Sequence, residues 1–373
     1  MHKEWNDPFN AFNSMKVLMW RRHLEGYAKE DFLPPVSVDV DPSNRCQYDC
    51  VFCNAYDMMH QSNEMKMLPE SHLIKIADFL KDWRKDSIEG GPHSQCVAGG
   101  GEPLTNPGTM AFLERSFNNG TQSGVITNGL LLDDEKIDIV AKTCRWVGFS
   151  MDAGTSETYM KMKGIKNDKL FDFVCENIRK LTKKIDETGV NNDVAFKFLL
   201  HPDNASEIYD AAKLAKSLGM RDFHLRPVGW LNHTKVNDTT ISFEGFEKII
   251  DEQMSKALEL ECENFHVYGI RHKFNSDLTP KKKFSRCWAI PMIPTFGADG
   301  WVHTCFDMRG REDLKMCKHF PDPGELRKFW NSEAHKKLIR EIDINSCPRC
   351  TFSIYNEAVE KVIIKDRMCH KFP

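Results

Sequence analysis

The chain has 373 residues, of which 41% are hydrophobic, with 51 basic and 54 acidic side chains. This composition predicts a folded protein of about two domains and excludes a mainly disordered or low-complexity chain. The net charge of −3 argues against nucleic acid or an anionic membrane as a nonspecific partner. A signal-peptide pattern and a transmembrane-length apolar run are both missing, which predicts a cytoplasmic protein.

Taken in chain order, the first 35 residues carry aromatic and Met side chains at helical spacing and predict a helical lid. Short β-branched runs then alternate with longer helical patterns, which is typical of βαβ units and a parallel sheet. The predicted strands are 36–40, 95–99, 123–127, 146–151, 194–200 and 222–226, and the predicted helices are 70–85, 108–118, 133–143, 168–187, 204–217 and 243–261. Six units predict an α/β fold with a partial (β/α)6 TIM-like barrel rather than a closed eightfold one.

The composition changes near residue 275. Lys281–Lys283 is typical of a solvated linker, the residues around Gly297–Gly300 predict two short strands, and 329–342 predict a helix. We therefore expect three parts. They are an N-terminal extension (1–35), the barrel (36–275) and a small cysteine-rich domain (276–373).

The 13 cysteines, an odd number, are clustered in a chain expected in a reducing compartment, which indicates metal or redox sites rather than disulfides. Cys46, Cys50 and Cys53 form a C-x3-C-x2-C group directly after the first predicted strand. Three thiolates can hold three irons of a cubic cluster and leave the fourth iron open, and an open metal position supports chemistry. A structural zinc site with His60 as a fourth ligand is the alternative.

Glycine-rich and polar motifs follow the next three strands. Gly-Gly-Gly-Glu-Pro occupies 99–103, Thr-Asn-Gly occupies 127–129, and Ser-Met-Asp occupies 150–152. Glycines let a backbone approach a ligand closely, and ligands of parallel sheets bind at the carboxyl ends of the strands. The three motifs therefore predict one binding site.

Together, the C-x3-C-x2-C group and the Gly-Gly-Glu-Pro motif resemble the radical S-adenosylmethionine (SAM) superfamily. The resemblance implies that Cys46, Cys50 and Cys53 hold a 4Fe-4S cluster whose open iron binds the amino and carboxylate groups of SAM. It also implies reductive cleavage of SAM to a 5′-deoxyadenosyl radical, with a reductant such as flavodoxin or ferredoxin. The implied SAM contacts are Phe52 near the adenine, Gly100, Gly101, Glu102 and Pro103 at the amino group, Asn128, Ser150 and Asp152 near SAM or substrate, and Lys163 or Lys161 at the carboxylate. A solvated surface pair is the alternative for the two lysines.

A second cysteine group lies beyond the barrel. Cys287 and Cys305 flank the predicted hairpin, and Cys347 and Cys350 form a C-x2-C. Four thiolates are enough to saturate a second cube. The stretch resembles the SPASM/twitch extension of radical SAM enzymes. Because a further run of closely spaced cysteines is missing, the resemblance implies the shorter form with one auxiliary 4Fe-4S cluster, and structural zinc is the alternative.

The other cysteines predict no cluster by themselves. Four fall within strand or helix patterns and are expected in the core, because buried Cys behaves as a small hydrophobe: Cys96, Cys144, Cys175 and Cys262. Cys317 and Cys369 remain open between spare thiols, a partial second site and a thiol that quenches a substrate radical.

The resemblance identifies how a reaction begins and leaves its substrate open. An auxiliary cluster favours oxidation of the substrate radical, and the short N-terminal extension favours a small polar substrate such as a sugar, aminocyclitol or nucleotide derivative. Peptide modification, epimerisation, C–C bond formation and a non-catalytic iron–sulfur protein are the alternatives. Arg226 could bind a carboxylate or phosphate or form a salt bridge in the barrel rim, and it joins Asp152 as a candidate catalytic residue. Asp39, Asp41 and Lys197 are further candidates for substrate contact.

Overall fold

The computed structural model describes residues 5, 7, 9–53, 55–60, 65–86, 91–189, 192–228, 241–274, 282–347 and 350–366. Its strands are β1 (Ser37–Val40), β2 (Ser94–Val97), β3 (Gln122–Thr127), β4 (Cys144–Ser150), β5 (Asp193–Leu200), β6 (Asp222–Pro227), β7 (His266–Gly269), β8 (Thr295–Phe296), β9 (Trp301–His303) and β10 (Lys315–Lys318). Its α-helices are α1 (Arg21–Lys29), α2 (Tyr56–His60), α3 (Glu70–Arg84), α4 (Thr109–Asn118), α5 (Asp134–Thr143), α6 (Ser156–Lys163), α7 (Lys169–Thr188), α8 (Ile208–Ser217), α9 (Glu247–Leu258), α10 (Gly324–Phe329), α11 (Glu333–Glu341) and α12 (Ser353–Ala358).

In these ranges the ten strands form one sheet in the order β10-β9-β8-β1-β2-β3-β4-β5-β6-β7. Strands β1 to β7 pair in parallel with their neighbours, and helices connect them. The alternation of apolar strands and amphipathic helices therefore gives the predicted partial (β/α)6 barrel, with β7 as an added edge strand. The helices between β1 and β7 each bury one face, as α7 does with Phe171, Ile178 and Ile185.

Some elements differ from the prediction. The helix predicted over 204–217 begins as a 3-10 turn over Pro202–Glu207 and becomes α-helical only at α8. Helix α6 was not predicted, because its eight residues are too short to show a clear period. It begins after Thr155, whose hydroxyl accepts a hydrogen bond from the Thr158 N–H, and it ends at Gly164, which has φ of 63°. A glycine is favoured there because other residues resist this left-handed conformation.

The C-terminal region continues the barrel sheet. Strand β8 pairs in parallel with β1, where Thr295 faces Asp39, and β8 and β9 form the hairpin that the sequence predicted around Gly297–Gly300. At the other end of the chain, α1 packs against this region through a hydrogen bond of 2.8 Å between the hydroxyls of Tyr27 and Tyr355. The described N-terminal residues therefore contact the C-terminal region as well as the barrel.

Two of the cysteines that the sequence placed in the core are not there. Cys144 and Cys175 are buried as predicted, whereas Cys262 is exposed after α9 and Cys96 lies on a cavity wall. Cys262 is exposed because the helix predicted over 243–261 ends earlier, at Leu258. None of the helices in the described part of the chain has the length and apolar character needed to cross a membrane.

Candidate active site

One cavity of about 440 Å³ lies at the carboxyl ends of β1 to β6. Residues from both cysteine groups line it: Cys46, Cys50 and Cys53 of the first group and Cys350 of the second. Of the residues expected at SAM or substrate, the cavity is lined by Phe52, Gly100, Gly101, Glu102, Asn128, Ser150, Asp152, Lys163 and Arg226. Pro103 is buried behind the wall, where it begins a 3-10 turn. The fold therefore gathers into one place motifs that are far apart in sequence.

The loop that carries the first three cysteines is held by α6. The N–H groups of Asp49 and Val51 donate to the carbonyl oxygens of Lys163 and Met162 at 3.0 and 3.1 Å. Phe52, within this loop, is 7% exposed and packs with Met162 and Val228. The short helix that the sequence did not predict thus fixes the position of the cluster loop.

The three cysteines are partly buried, and the Lys163 ammonium lies near the thiols of Cys46 and Cys50. Burial raises the pKa of Cys50 to about 12 and that of Cys53 to about 11, and it raises the pKa of Cys46 as well. The Cys46 sulfur accepts hydrogen bonds from the Tyr48 N–H at 3.5 Å and from Asn128 Nδ2 at 3.8 Å. Buried thiols of this kind become thiolates when a metal supplies positive charge, and hydrogen bonds to sulfur tune such a centre.

A cluster and a single metal ion need different spacing of their thiol ligands. Among the described residues, no three His, Cys, Asp or Glu side chains are grouped so as to hold one metal ion. In an iron–sulfur cube each thiolate binds a different iron, so the thiols stand farther apart than zinc ligands do.

Glu102 joins the glycine-rich motif to the end of β3. Its carboxylate accepts hydrogen bonds from the Thr127 hydroxyl at 2.7 Å, the Asn128 N–H at 2.7 Å and the Leu104 N–H at 3.1 Å. Burial raises the pKa of Glu102 to about 6, and the Asn128 N–H leads the groups that oppose this rise. Glu102 thus positions Asn128, since both of its oxygens are already engaged by protein donors.

The glycines at 100 and 101 are required by the packing of the protein itself. A Cβ atom at Gly100 would lie 2.2 Å from the Asn44 Oδ1 atom, and one at Gly101 would lie 2.3 Å from the Arg45 carbonyl oxygen. From the sequence, both glycines are expected to let a ligand approach the backbone closely. The structure adds that no larger residue fits against the segment leading into Cys46.

Asp152 and Lys163 form a buried ion pair on the cavity wall. Lys163 Nζ lies 2.6 Å from Asp152 Oδ2, and each side chain is 1% exposed. Burial disfavours the ammonium, yet the Asp152 carboxylate raises the pKa of Lys163 to about 12. The other Asp152 oxygen accepts from the Leu199 N–H at 2.7 Å, and these contacts hold Asp152 at a left-handed φ of 61°. Lys163 is therefore paired within the protein, while Lys161 is 60% exposed beside Asp203.

The neighbouring part of the wall, on β5 and β6, is cationic, and it includes His224, which was not expected from the sequence. Lys197 Nζ lies 2.7 Å from His224 Nδ1, and burial lowers the pKa of Lys197 to about 8. Gly148 leaves room for the lysine stem, since a Cβ there would lie 2.6 Å from Lys197 Cε. His224 and Arg226 point to the same side of β6 because side chains alternate along a strand. That alternation was the signal from which His224 could have been found. The ring of Phe12 lies 4.4 Å from the His224 ring.

The second cysteine group contacts the cavity at one edge. Burial raises the pKa of Cys287, Cys305, Cys347 and Cys350, and other thiols of this group add to the rise for Cys287, Cys305 and Cys350. Cys350 and Thr351 line the cavity, and Thr351 accepts a hydrogen bond of 2.6 Å from Arg226. Arg226 therefore links the barrel wall to the C-terminal region. Cys317 lies on β10 outside the cavity lining that the structure describes, and Cys369 falls outside the described residues.

A partial parallel barrel with a cysteine loop after its first strand and a cavity at its carboxyl end defines a class of cofactor-dependent barrel enzymes. Residues 40–243 match the family model of the radical SAM superfamily. That match covers more than half of the chain. The protein therefore belongs to the radical SAM superfamily, and with it uses a 4Fe-4S cluster and SAM.

Two relatives and one solved structure are similar to this chain. The chain is 24% identical over 188 residues to a probable GTP 3′,8-cyclase of Saccharolobus islandicus, which covers 49% of this chain and only 55% of that protein. It is 20% identical over 364 residues to the PqqA peptide cyclase of Gluconobacter oxydans, covering 88% of this chain and 94% of that protein. The SuiB structure from Streptococcus suis bound to SAM has a TM-score of 0.63 at 15% identity and covers 95% of this chain and 82% of that one. The structural likeness shows a shared fold.

Proposed function

We propose that the protein cleaves SAM reductively and oxidises a small polar substrate after hydrogen abstraction. One observation carries the proposal. Cys46, Cys50 and Cys53 and the auxiliary residue Cys350 line the same cavity. A substrate in that cavity would lie between the place where a radical is generated and a second cluster able to accept an electron.

The geometry of the first site supports the following roles. Cys46, Cys50 and Cys53 would hold the cluster, whose chemistry is electron transfer to the sulfonium of bound SAM. Around it we assign Phe52, Gly100, Gly101, Asn128 and Ser150 to SAM contacts, with Glu102, Asp152 and Lys163 holding that wall in position. Burial of these groups excludes water, which protects a reactive intermediate from side reactions.

The second site would hold one auxiliary cluster. Cys287, Cys305, Cys347 and Cys350 provide four thiols, which saturate a cube and leave no iron for substrate. Two protein donors lie next to these sulfurs: the Asp307 N–H at 3.4 Å from Cys305 Sγ and Asn356 Nδ2 at 3.5 Å from Cys350 Sγ. Hydrogen bonds of this kind adjust the reduction potential of a cluster and so support a role in electron transfer.

The substrate class rests on the cationic wall. Lys197 and Arg226 stand on neighbouring strands and line the cavity together. Two cations there favour a substrate that carries a carboxylate or phosphate. The cavity of about 440 Å³ must also take SAM, so the room that remains suits a small molecule or one residue of a longer one.

A peptide substrate is the second candidate. It is favoured by the alignment with the PqqA peptide cyclase, which extends over 94% of that protein. SuiB, which shares the fold, has also been solved with its precursor peptide. A side chain of a peptide could enter the cavity while the rest of the peptide stays outside.

The proposal is tested with anaerobically purified protein, dithionite and SAM. We expect 5′-deoxyadenosine and methionine as products, and about eight iron per chain from two cubes. Candidate sugars, aminocyclitols, nucleotides and peptides are then screened by mass spectrometry for a loss of two hydrogen atoms. S-adenosylhomocysteine as the sole product, or zinc with little iron, would contradict the proposal.

A further inference from the structure

Asp39 on β1 and Asp41, which directly follows the strand, are two buried carboxylates whose surroundings differ. Asp41 is 0% exposed and forms a two-contact ion pair with Arg309, in which Nη2 donates to Oδ1 at 2.9 Å and Nε donates to Oδ2. Asp39, two residues earlier, is 8% exposed and lines the cavity. Because alternate residues of a strand share a face, the two carboxylates point to the same side of β1. Only their partners distinguish them.

The Oδ2 atom of Asp39 is buried and has no hydrogen-bond partner. Among the described residues that line the cavity, it is the buried side-chain oxygen left without one. The other ionisable groups of the wall have partners in the protein: Glu102, Asp152, Lys163, Lys197, Arg226 and Arg309. A buried carboxylate oxygen without a partner is unfavourable, and native proteins rarely keep one without a function.

We propose that Asp39 Oδ2 binds a hydrogen-bond donor of the substrate, an amine or a hydroxyl, and so is a substrate-binding residue. The inference rests on the proposed function, which places the substrate in this cavity. A hydrogen bond to Asp39 would also orient the substrate in the cavity. The donor group lies towards β1, and an anionic group lies towards Lys197 and Arg226 on β5 and β6, on the other side of the barrel.

The electrostatics at β1 suit this role. Burial raises the pKa of Asp39 to about 7, with Arg309 opposing the rise and Asp41 and Asp307 adding to it. The Cys96 thiol, opposite Asp39 on β2, is a further group that lowers the pKa of the carboxyl. An ammonium would hold Asp39 in its ionised form, whereas a hydroxyl could donate to either form. Arg309 itself is engaged by Asp41 and does not fill the free position.

The first test needs no substrate and compares the two carboxylates. Thermal unfolding is measured for the cluster-loaded wild type, Asp39→Asn and Asp41→Asn. We expect Asp39→Asn to keep or raise the melting temperature, by up to about 4 °C, because it removes an unsatisfied buried charge. Asp41→Asn should lower it, since Arg309 loses its partner. A loss in Asp39→Asn equal to that in Asp41→Asn would assign Asp39 a structural role and overturn the proposal.

The second test uses the radical as a reporter of occupancy. Carbon-deuterated ethanolamine, glycerol and acetonitrile are added singly during SAM cleavage, and deuterium in 5′-deoxyadenosine is measured by mass spectrometry. We expect deuterium from the first two to fall about tenfold in Asp39→Leu, while deuterium from acetonitrile, which donates no hydrogen bond, is unchanged. Asp39→Asn should lose more of the ethanolamine signal than of the glycerol signal, because it keeps an acceptor and loses the charge.

The outcomes separate the two proposals. If wild type makes no 5′-deoxyadenosine, the proposed function fails, and the melting temperatures still show whether Asp39 has a structural role. If 5′-deoxyadenosine forms and Asp39→Leu keeps its deuterium from ethanolamine and glycerol, the substrate-binding role of Asp39 is wrong.

Discussion

The two cysteine groups of this protein are built in different ways. The first consists of three thiols within one loop, which β1 precedes and α6 holds in place. The second draws its thiols from separate segments around β8, β9 and α12, and only Cys350 of that group lines the cavity. A group made by distant segments holds those segments together, so its loss should affect stability as well as chemistry.

Removing the first group should have the largest effect on chemistry. The triple change Cys46→Ala, Cys50→Ala, Cys53→Ala should abolish 5′-deoxyadenosine formation and lower iron from about eight to about four per chain. Iron and sulfide analysis and chromatography measure both. The matched control is Cys144→Ala, which changes a buried thiol of the core and should keep the iron. Unchanged SAM cleavage in the triple variant would show that the first cysteine group is not needed for this reaction.

Removing the second group should leave SAM cleavage in place. Cys347→Ala, Cys350→Ala should also lower iron to about four per chain, while 5′-deoxyadenosine formation without substrate stays within about threefold, since the first cluster is intact. Electron paramagnetic resonance of the reduced variant should show one cluster signal that still responds to SAM. Circular dichroism checks that the variant is folded. A folded variant that still dehydrogenates a substrate would refute the electron-acceptor role.

The buried lysine next to the first group should matter more than its exposed neighbour. Lys163→Met leaves Asp152 buried and unpaired, so we expect it to lower the free energy of unfolding by about 3–5 kcal/mol. Lys161→Met breaks an exposed ion pair with Asp203 and should change the free energy of unfolding by less than about 1 kcal/mol. Anaerobic urea unfolding measures both. Adding Asp152→Asn to Lys163→Met should recover part of the loss; equal effects of the two lysine changes would show that the ion pair contributes little.

The smallest expected effect is that of Lys197, on the cationic wall, on the free energy of unfolding. This effect depends on pH. Burial lowers the pKa of Lys197 to about 8, below its value in the unfolded chain, so the unfolded state binds more protons between about pH 8 and 10.4. Stability from this group therefore rises with pH in that window. The gain in unfolding free energy from Lys197→Met should be about 1–2 kcal/mol at pH 7 and shrink towards pH 10. An equal gain in unfolding free energy at pH 7 and pH 10 would show that burial does not destabilise the charged form of Lys197.

Much of this architecture follows from local sequence. The β-branched runs and amphipathic helices define β1 to β6 and their helices, because each period is set by the geometry of its own backbone. The C-x3-C-x2-C group and the glycine-rich motif are likewise local, so the sequence predicted the residues of the first cluster loop and the strand ends that surround it. Short elements such as α6 and β10 were missed because a few residues cannot show a period.

The tertiary structure decided what depends on packing between distant segments. It paired Lys163 with Asp152, placed Cys96 on the cavity wall and moved Cys262 to the surface. It also separated Asp39 from Asp41, which look alike in sequence, by giving Asp41 the guanidinium of Arg309. Burial and partners of a side chain are properties of the folded arrangement, and they set which buried charges are satisfied within the protein and which remain for a ligand.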